Sequence, residues 1–515
     1  MNRRSLNRRR LAVTSVALAA VLVLSGCVGS FLPSTPSSTS KSTSEKVAAN
    51  LEPFYSQVLH WKSCESGNFQ CATAKAPLDW SDPGKETIRL ALIRKVATGT
   101  KLGSLLVNPG GPGASGFDFI KDSLSYAVDA KLRQNFDIVG FDPRGVNHSS
   151  AVKCYDNPAN LDAFLFTITP GAIGSDQWLA ASDASNAKFG QDCLKYTGNL
   201  LGYIDTNSAA RDLDLLRATL GDKKLNYLGY SYGTLLGATY AELYPKKTGH
   251  LVLDGVVDPA TTEYEVTETQ AKGFESAMRA YLKDCLSGTK CPFKGTVNSS
   301  MLRVRAILDS LDASPIRNGD GRELGSATMF EAIILPLYSQ STWKYLDTLF
   351  TDVEHGSADV AFQLADSYVG RNADGTYRDN SFEALIAINC LDYKSTDTDA
   401  NMRVEAAQLD KVAPTFGPEM SYGGTSCNNW PFKSTRERGP IAANGSAPIV
   451  VIGTTNDPAT PYVWAQNLSK ELQHGYLITH KGEGHTAYNK SNSCVNNAVD
   501  DFFVSNKVPL TDPHC

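Results

Sequence analysis

The chain has 515 residues, 42% of them hydrophobic and 20% charged, with a formal net charge of -5. That length allows one large core plus a second lobe, each able to bury its own apolar interior. Beyond the first ten positions the basic residues are scattered, so there is no electrostatic footprint for nucleic acid and that class of function is excluded.

Arg3, Arg4, Arg8, Arg9 and Arg10 form a positively charged start, and the apolar stretch Leu11 to Leu24 is too short for a comfortable membrane span. It ends in Leu24-Ser25-Gly26-Cys27, which resembles a bacterial lipobox. The resemblance implies residues 1–26 as a lipoprotein signal peptide, cleavage before Cys27 and a lipid on its sulfur. An ordinary signal peptide with a coincidental cysteine is the alternative, and the arginine pairs leave twin-arginine export open. Residues 27–47 are rich in Ser, Thr and Pro with almost nothing to bury, so they are expected to be a flexible tether. The protein is thus expected to be exported and held by lipid on the outer face of the cell membrane, with release of a shed form left open.

Cysteine usage agrees with export. Of the 11 cysteines, all but Cys27 form an even set in a chain destined for an oxidising compartment. Pairing neighbours in sequence gives Cys64–Cys71, Cys154–Cys193, Cys285–Cys291, Cys390–Cys427 and Cys494–Cys515, a choice that favours short loops where connectivity is otherwise undetermined.

From Val58 to Asp79 the chain reads as an irregular lead-in. Thr87 to Ile93 then alternates like a strand with one covered face, and Gly103 to Val107 is apolar nearly throughout, as buried parallel strands are. That second strand runs into Asn108-Pro109-Gly110-Gly111-Pro112-Gly113, where glycines let backbone approach a ligand closely. Phe136 to Phe141 is the next strand, followed by Asp142-Pro143-Arg144-Gly145, where Asp142 and Arg144 either act on substrate or, as favoured, form a structural clamp. Ser149 to Leu200 is a long excursion, expected to be helical and tied at its base by Cys154 and Cys193. Thr206 or Asn207 caps a helix that ends at Gly221, with Arg211, Asp212 and Asp214 expected to face outward.

Leu225 to Tyr230 is a short apolar strand that meets the pentapeptide Gly229-Tyr230-Ser231-Tyr232-Gly233, and Leu235 to Leu243 reads as a helix. This strand–turn–helix with a serine at the bend is a nucleophile elbow, G-x-S-x-G, with the glycines relieving crowding around an exposed Ser231. Leu251 to Asp254 is a further strand. From about Thr261 to Arg438 strand signals nearly vanish, and helices over Lys272–Lys283, Met301–Leu311, Phe330–Tyr338 and Val360–Val369 suggest a cap inserted over the sheet's carboxyl edge. The core resumes with the strand Pro448 to Gly453, a helix over Tyr462–Leu472, the strand Gly475 to Thr479 and a last helix over Ser493–Val504. The domain plan is therefore 1–26 signal peptide, 27–47 tether, 48–260 and 439–515 core, and 261–438 cap.

A serine hydroxyl is a poor nucleophile at neutral pH unless a positioned base takes its proton, so the elbow demands a histidine and an orienting acid. Of the histidines after Ser231, His485 lies in Gly482-Glu483-Gly484-His485-Thr486, where flanking glycines let the loop reach over the serine; His480 at the strand end is expected to be structural. Asp457 in Asp457-Pro458-Ala459-Thr460-Pro461 is the expected acid, with Asp254 as its rival. Thr460 either sets the angle of Asp457 or caps the following helix. The backbone N–H of Tyr232 and one from the Gly110/Gly111 region, with Gly111 favoured, are the candidate oxyanion donors. No motif calls for a cofactor, and no metal-ligand cluster is present.

The order Ser, Asp, His is that of the α/β-hydrolases. The motifs Asn108 to Gly113, Phe141 to Gly145, Gly229 to Gly233, Asp457 to Pro461 and Gly484-His485 together resemble the secreted tripeptidyl aminopeptidases of bacteria, relatives of the prolyl aminopeptidases. Asn108 stands where prolyl aminopeptidases carry histidine before the glycines, which weakens any claim to proline specificity. The resemblance implies an α/β-hydrolase fold with a mostly parallel sheet and a helical cap. It also implies a serine exopeptidase that frees short peptides, usually tripeptides, from free N-termini of peptides or proteins. Such enzymes anchor the substrate ammonium on cap carboxylates, for which Glu263, Glu265, Glu268, Glu275 and Asp392 are candidates. An esterase or lipase using the same triad is the alternative, since fold does not decide substrate.

Overall fold

Ten strands form one sheet, and the buried apolar runs found in the sequence are its centre. The computed structural model describes residues 38–66, 68–395 and 397–515. The strands are β1 Ser38–Ser40, β2 Leu59–Cys64, β3 Phe69–Pro77, β4 Thr87–Lys95, β5 Gly103–Asn108, β6 Phe136–Phe141, β7 Leu225–Tyr230, β8 Thr248–Asp254, β9 Ile449–Asn456 and β10 Gly475–Glu483. Their order across the sheet is β1-β2-β3-β4-β6-β5-β7-β8-β9-β10. β1 to β4 and the β4–β6 pair are antiparallel, and from β6 to β10 every pair is parallel. β5 and β6 are buried at every position, as strands covered by helices on both faces must be.

Eight helices matter for the site: α1 Gly116–Ala127, α2 Thr206–Leu220, α3 Tyr232–Leu243, α4 Glu263–Ser287, α5 Ser326–Leu337, α6 Ser381–Asp392, α7 Tyr462–Glu471 and α8 Ser493–Ser505. α4 to α6 belong to the helical block between β8 and β9, which has an apolar core of its own around Met278, Tyr281, Leu308, Ile333 and Phe350. This block begins with a capping box in which Thr262 and Glu265 bond reciprocally. The described residues form one compact unit.

Four expectations are corrected. The lead-in from Val58 to Asp79 is not irregular: β2 and β3 pair across it, and Cys64–Cys71 closes their turn. The tether does not extend to residue 47, because β1 adds to β2 at the sheet edge, Ser38 Oγ accepts from Arg94 Nη2 at 2.7 Å, and Glu45 receives Arg217 Nη2 at 2.9 Å. Polar side chains dock this segment, which is why a search for buriable apolar residues misses it. The cap of α2 is Asp205, whose carboxylate accepts from Ser208 N at 3.0 Å. Finally, Asp212 and Asp214 point inward. Asp212 takes both prongs of Arg144 at 2.7 Å, and Asp214 holds Arg217 at 2.8 Å, so each buried charge has a partner of opposite sign. Arg144 is thus a clamp, though to Asp212 and not to Asp142; the latter accepts from Ser115 Oγ, Phe117 N and His148 N.

All five disulfides join the cysteines that are neighbours in sequence. Cys154–Cys193 ties the base of the excursion, which holds helices Pro158–Phe166 and Asp176–Thr197. The proposed signal peptide and Cys27 lie outside the described residues.

Candidate active site

Ser231 sits between β7 and α3 with φ 55° and ψ −127°, a backbone region that L residues rarely adopt. The bend is over-determined by its surroundings. Ser231 N–H donates to Asp254 O at 2.9 Å, and the Ser231 carbonyl accepts from Thr234 N at 2.8 Å and Thr234 Oγ1 at 2.6 Å. Tyr227 OH donates to the Gly233 carbonyl at 2.8 Å. A Cβ on residue 229 would lie 2.4 Å from the Gly233 carbonyl oxygen, and one on residue 233 would lie 2.8 Å from Asn108 Oδ1. Both elbow glycines are therefore required by close approach. Ser231 Oγ makes no hydrogen bond among the described residues and faces a cavity that His485 also lines.

His485 follows β10, and its Nδ1 lies 2.9 Å from Asp457 Oδ2 and 3.0 Å from Oδ1. An ionised carboxylate only accepts, so this contact places the proton on Nδ1 and leaves Nε2 as a base. Asp457 also accepts from Ala459 N at 2.9 Å, Thr460 N at 2.8 Å, Thr460 Oγ1 at 2.9 Å and Thr486 N at 3.2 Å. Pro461, not Thr460, is the N-cap of α7, and Thr460 Oγ1 lies 3.1 Å from His485 Nδ1. Thr460 belongs to the Asp457–His485 pair.

The rival acid, Asp254, does not reach the imidazole nitrogens. Its carboxylate accepts from Ala487 N at 3.0 Å and Tyr488 N at 2.8 Å, which pins the chain just after His485, while burial pushes its carboxyl up. His480 is 2.5 Å from where a Cβ on residue 482 would stand, which places its ring against the strand end. From the cap, the Tyr338 carbonyl accepts His485 N–H at 2.8 Å, and the Tyr338 ring meets the imidazole edge-on with centroids 5.4 Å apart.

Of the two glycine amides considered as oxyanion donors, Gly110 N–H is already given to Asn108 Oδ1 at 3.0 Å. Gly111 N–H and Tyr232 N–H have no acceptor among the described residues, and both residues line the cavities beside Ser231. This separates Gly111, which the sequence only favours, from Gly110.

Two cavities meet under the cap. The one with Ser231 and His485 encloses about 580 Å³ and is walled by Phe330, Ile334, Tyr338, Phe382 and Leu385. The other, about 370 Å³, shares Gly111, Phe330 and Tyr338 with it and reaches Glu263. A larger cavity of about 740 Å³ lies between residues 168–173 of the excursion and the cap, and Ser231 does not line it. Glu331 and Glu419 line the Ser231 cavity, and Glu419 Oε2 accepts from Ser326 Oγ at 2.9 Å. Burial pushes the Glu331 carboxyl up to about 8, and its Oε2 is buried with no partner. Burial likewise raises Glu419 and Glu263 to about 7, and Glu263 Oε2 is also unpartnered.

Among the carboxylates singled out in the sequence, only Glu263 faces a cavity of this site. Glu265 is spent on the capping box, Glu268 on Lys272 at 2.8 Å, Glu275 on Thr415 at 2.9 Å and Asp392 on Thr206 and Arg436. Glu331 and Glu419 were missed. For Glu331 the signal was present, since it is the lone charge in the otherwise apolar helix SATMFEAIILPL.

Residues 103–343 match the α/β hydrolase fold family, and residues 413–515 match the TAP-like protein family. Over 540 aligned positions the chain is 33% identical to serine protease Hip1 of Mycobacterium tuberculosis, covering 100% of this chain and 99% of that one. The chain belongs to the α/β hydrolases. This hydrolase is also 36% identical to carboxylesterase B of M. tuberculosis over 524 positions, covering 98% and 99% of the two chains. It is 28% identical to the tripeptidyl aminopeptidase of Streptomyces lividans over 472 positions, covering 89% and 86%. Within the hydrolase, the first family match contains the elbow and the second contains Asp457 and His485.

Proposed function

We propose that this hydrolase is a serine aminopeptidase that releases short peptides, tripeptides above all, from free N-termini of peptides and proteins. The observation that carries the reading is Glu331, which lines the same cavity as Ser231 and His485 and whose Oε2 is buried without a partner. A buried acid without a partner is costly, and a bound ammonium would offset that cost. The cavity volume lies within the range of about 300–1,000 Å³ usual for small-ligand sites. Its apolar walls suit apolar side chains at the substrate's N-terminal end. The tripeptide length is supported by the likeness to the S. lividans aminopeptidase.

In this reading Ser231 Oγ attacks the scissile carbonyl while His485 Nε2 takes its proton, and Asp457 stabilises the imidazolium so formed. The free amides of Gly111 and Tyr232 receive the oxyanion. His485 then gives its proton to the leaving amine and activates water for hydrolysis of the acyl-enzyme. Export and lipid attachment through Cys27 belong to the same proposal, supported by the leader sequence and by five disulfides suited to an oxidising compartment. Loss of membrane association in Cys27→Ala would test that part.

The second reading, an esterase, is favoured by the likeness to carboxylesterase B. Paired chromogenic tripeptides, one with a free and one with an acetylated N-terminus, separate the two. Turnover of the free peptide alone, abolished by Ser231→Ala and weakened by Glu331→Gln, is expected. Turnover of simple esters with neither peptide cleaved would establish the esterase instead.

A further inference from the structure

Behind the His485 loop lies a cation that the mechanism above does not use. Lys490 follows β10 and precedes α8. Its Nζ donates to Thr486 Oγ1 at 2.5 Å and is 4.5 Å from the ring centroid of Tyr230 and 4.8 Å from that of Tyr126. It forms no ion pair within 4.0 Å among the described residues. The groups around it come from several elements: Asp254 at the end of β8, Asp457 after β9, the ring of Tyr230 ending β7 and that of Tyr126 in α1. On its own loop it reaches Thr486, and from the cap the Tyr338 ring meets the His485 imidazole edge-on. Burial pushes the Lys490 ammonium down to about 8, against the pull of Asp254 and then Asp457.

Thr486 is the link. It is β-branched yet has φ 65°, a conformation that such residues adopt only when held. Its hydroxyl donates to the His485 carbonyl at 2.5 Å and accepts from Lys490, while its N–H donates to Asp457 Oδ2 at 3.2 Å. Lys490 therefore grips a residue that touches both the backbone of the histidine and the carboxylate of the acid.

We propose that Lys490 is a positioning residue: its charge offsets part of the field of Asp457 and Asp254 at His485, and its hydrogen bond to Thr486 holds Asp457 and His485 in register. This rests on Ser231, Asp457 and His485 acting as proposed above. The sign follows from charge alone. A nearby cation disfavours a second cation, so with Lys490 in place imidazolium forms less readily and His485 remains a base to lower pH. Without it the two carboxylates act on the imidazole unopposed.

The test is the pH dependence of Ser231 labelling by a fluorophosphonate, which needs the triad but no peptide substrate. In Lys490→Met the acidic midpoint is expected to rise by about one pH unit. Lys490→Arg, which keeps the charge, should stay near the wild-type midpoint. A purely structural role would lower the labelling rate without moving the midpoint, so an unmoved midpoint in folded Lys490→Met overturns the proposal. Lys490→Gln keeps a donor for Thr486 and serves where the Met variant does not fold; the same upward shift is expected, and its absence has the same force. Failure of the wild-type chain to label at Ser231 would overturn the catalytic reading instead. NMR titration of the His485 ring in wild type and Lys490→Gln would then decide the role of Lys490, with a higher midpoint in the variant expected and equal midpoints overturning it.

Discussion

Thr460 Oγ1 donates to Asp457 Oδ2 at 2.9 Å and stands 3.1 Å from His485 Nδ1, so one hydroxyl touches both members of the acid–base pair. Thr460→Val keeps the shape and removes that contact. A hydrogen bond to a charged group is worth about 1.5–3 kcal/mol, so kcat should fall about 10-fold to 100-fold with KM little changed. Steady-state kinetics on the free tripeptide checks this, and equal thermal stability of variant and parent excludes a folding effect.

The backbone of Ser231 has φ 55°, and that strain belongs to the site and not to the fold. Ser231→Ala and Ser231→Gly should both lose activity by about 10³-fold or more. They should differ in stability: glycine accepts this conformation, so Ser231→Gly is expected to be more stable than Ser231→Ala by about 1–2 kcal/mol. Thermal melts of the two inactive variants measure the difference.

Gly484 has φ 98°, and a Cβ there would stand 2.8 Å from the Tyr338 carbonyl oxygen that accepts His485 N–H. Gly484→Ala must push the histidine loop away from the cap. A fall in kcat of about 100-fold is expected, as for other displacements of about 1 Å at a reacting group. Retained binding of a free-amine product would show that the cavity itself survives.

Glu331 gives a stability prediction with a definite sign. Its carboxyl is raised from 4.5 to about 8 in the folded chain, so the folded state holds a proton that the unfolded state releases. Its stabilising contribution is complete below pH 4.5 and is lost as pH rises towards 8. Glu331→Gln stays neutral throughout and should flatten that decline, with a gain on the order of 2 kcal/mol at pH 8 after discounting for partial access of solvent. Denaturant melts at pH 5 and pH 8 test this, and the same variant should raise KM for the free tripeptide while leaving simple esters unaffected.

Much of this was written locally. The elbow could be read from Gly229 to Gly233 because a strand-to-helix bend around an exposed serine tolerates few residue types. Buried parallel strands announced themselves as apolar runs in β5, β6 and β9, and His485 stood out by its glycines. The disulfides of the structure match the pairing of neighbouring cysteines, a choice that spacing favoured but could not decide. Other features depend on partners far along the chain. Asp212 and Asp214 look like solvated helix charges until Arg144 and Arg217 are brought against them. The docking of residues after 37 rests on polar contacts with Arg94 and Arg217, which leave no hydrophobic pattern. Which of Gly110 and Gly111 keeps a free amide depends on Asn108 Oδ1, which takes the Gly110 N–H. The environments of Glu331 and Lys490 likewise arise where cap, sheet edge and histidine loop converge, and burial there depends on the whole fold. The candidate reactive groups and their order were legible in the sequence alone, because those depend on residue type and local backbone. Tertiary structure decided which charges were left without partners, because desolvation and pairing are properties of the assembled chain.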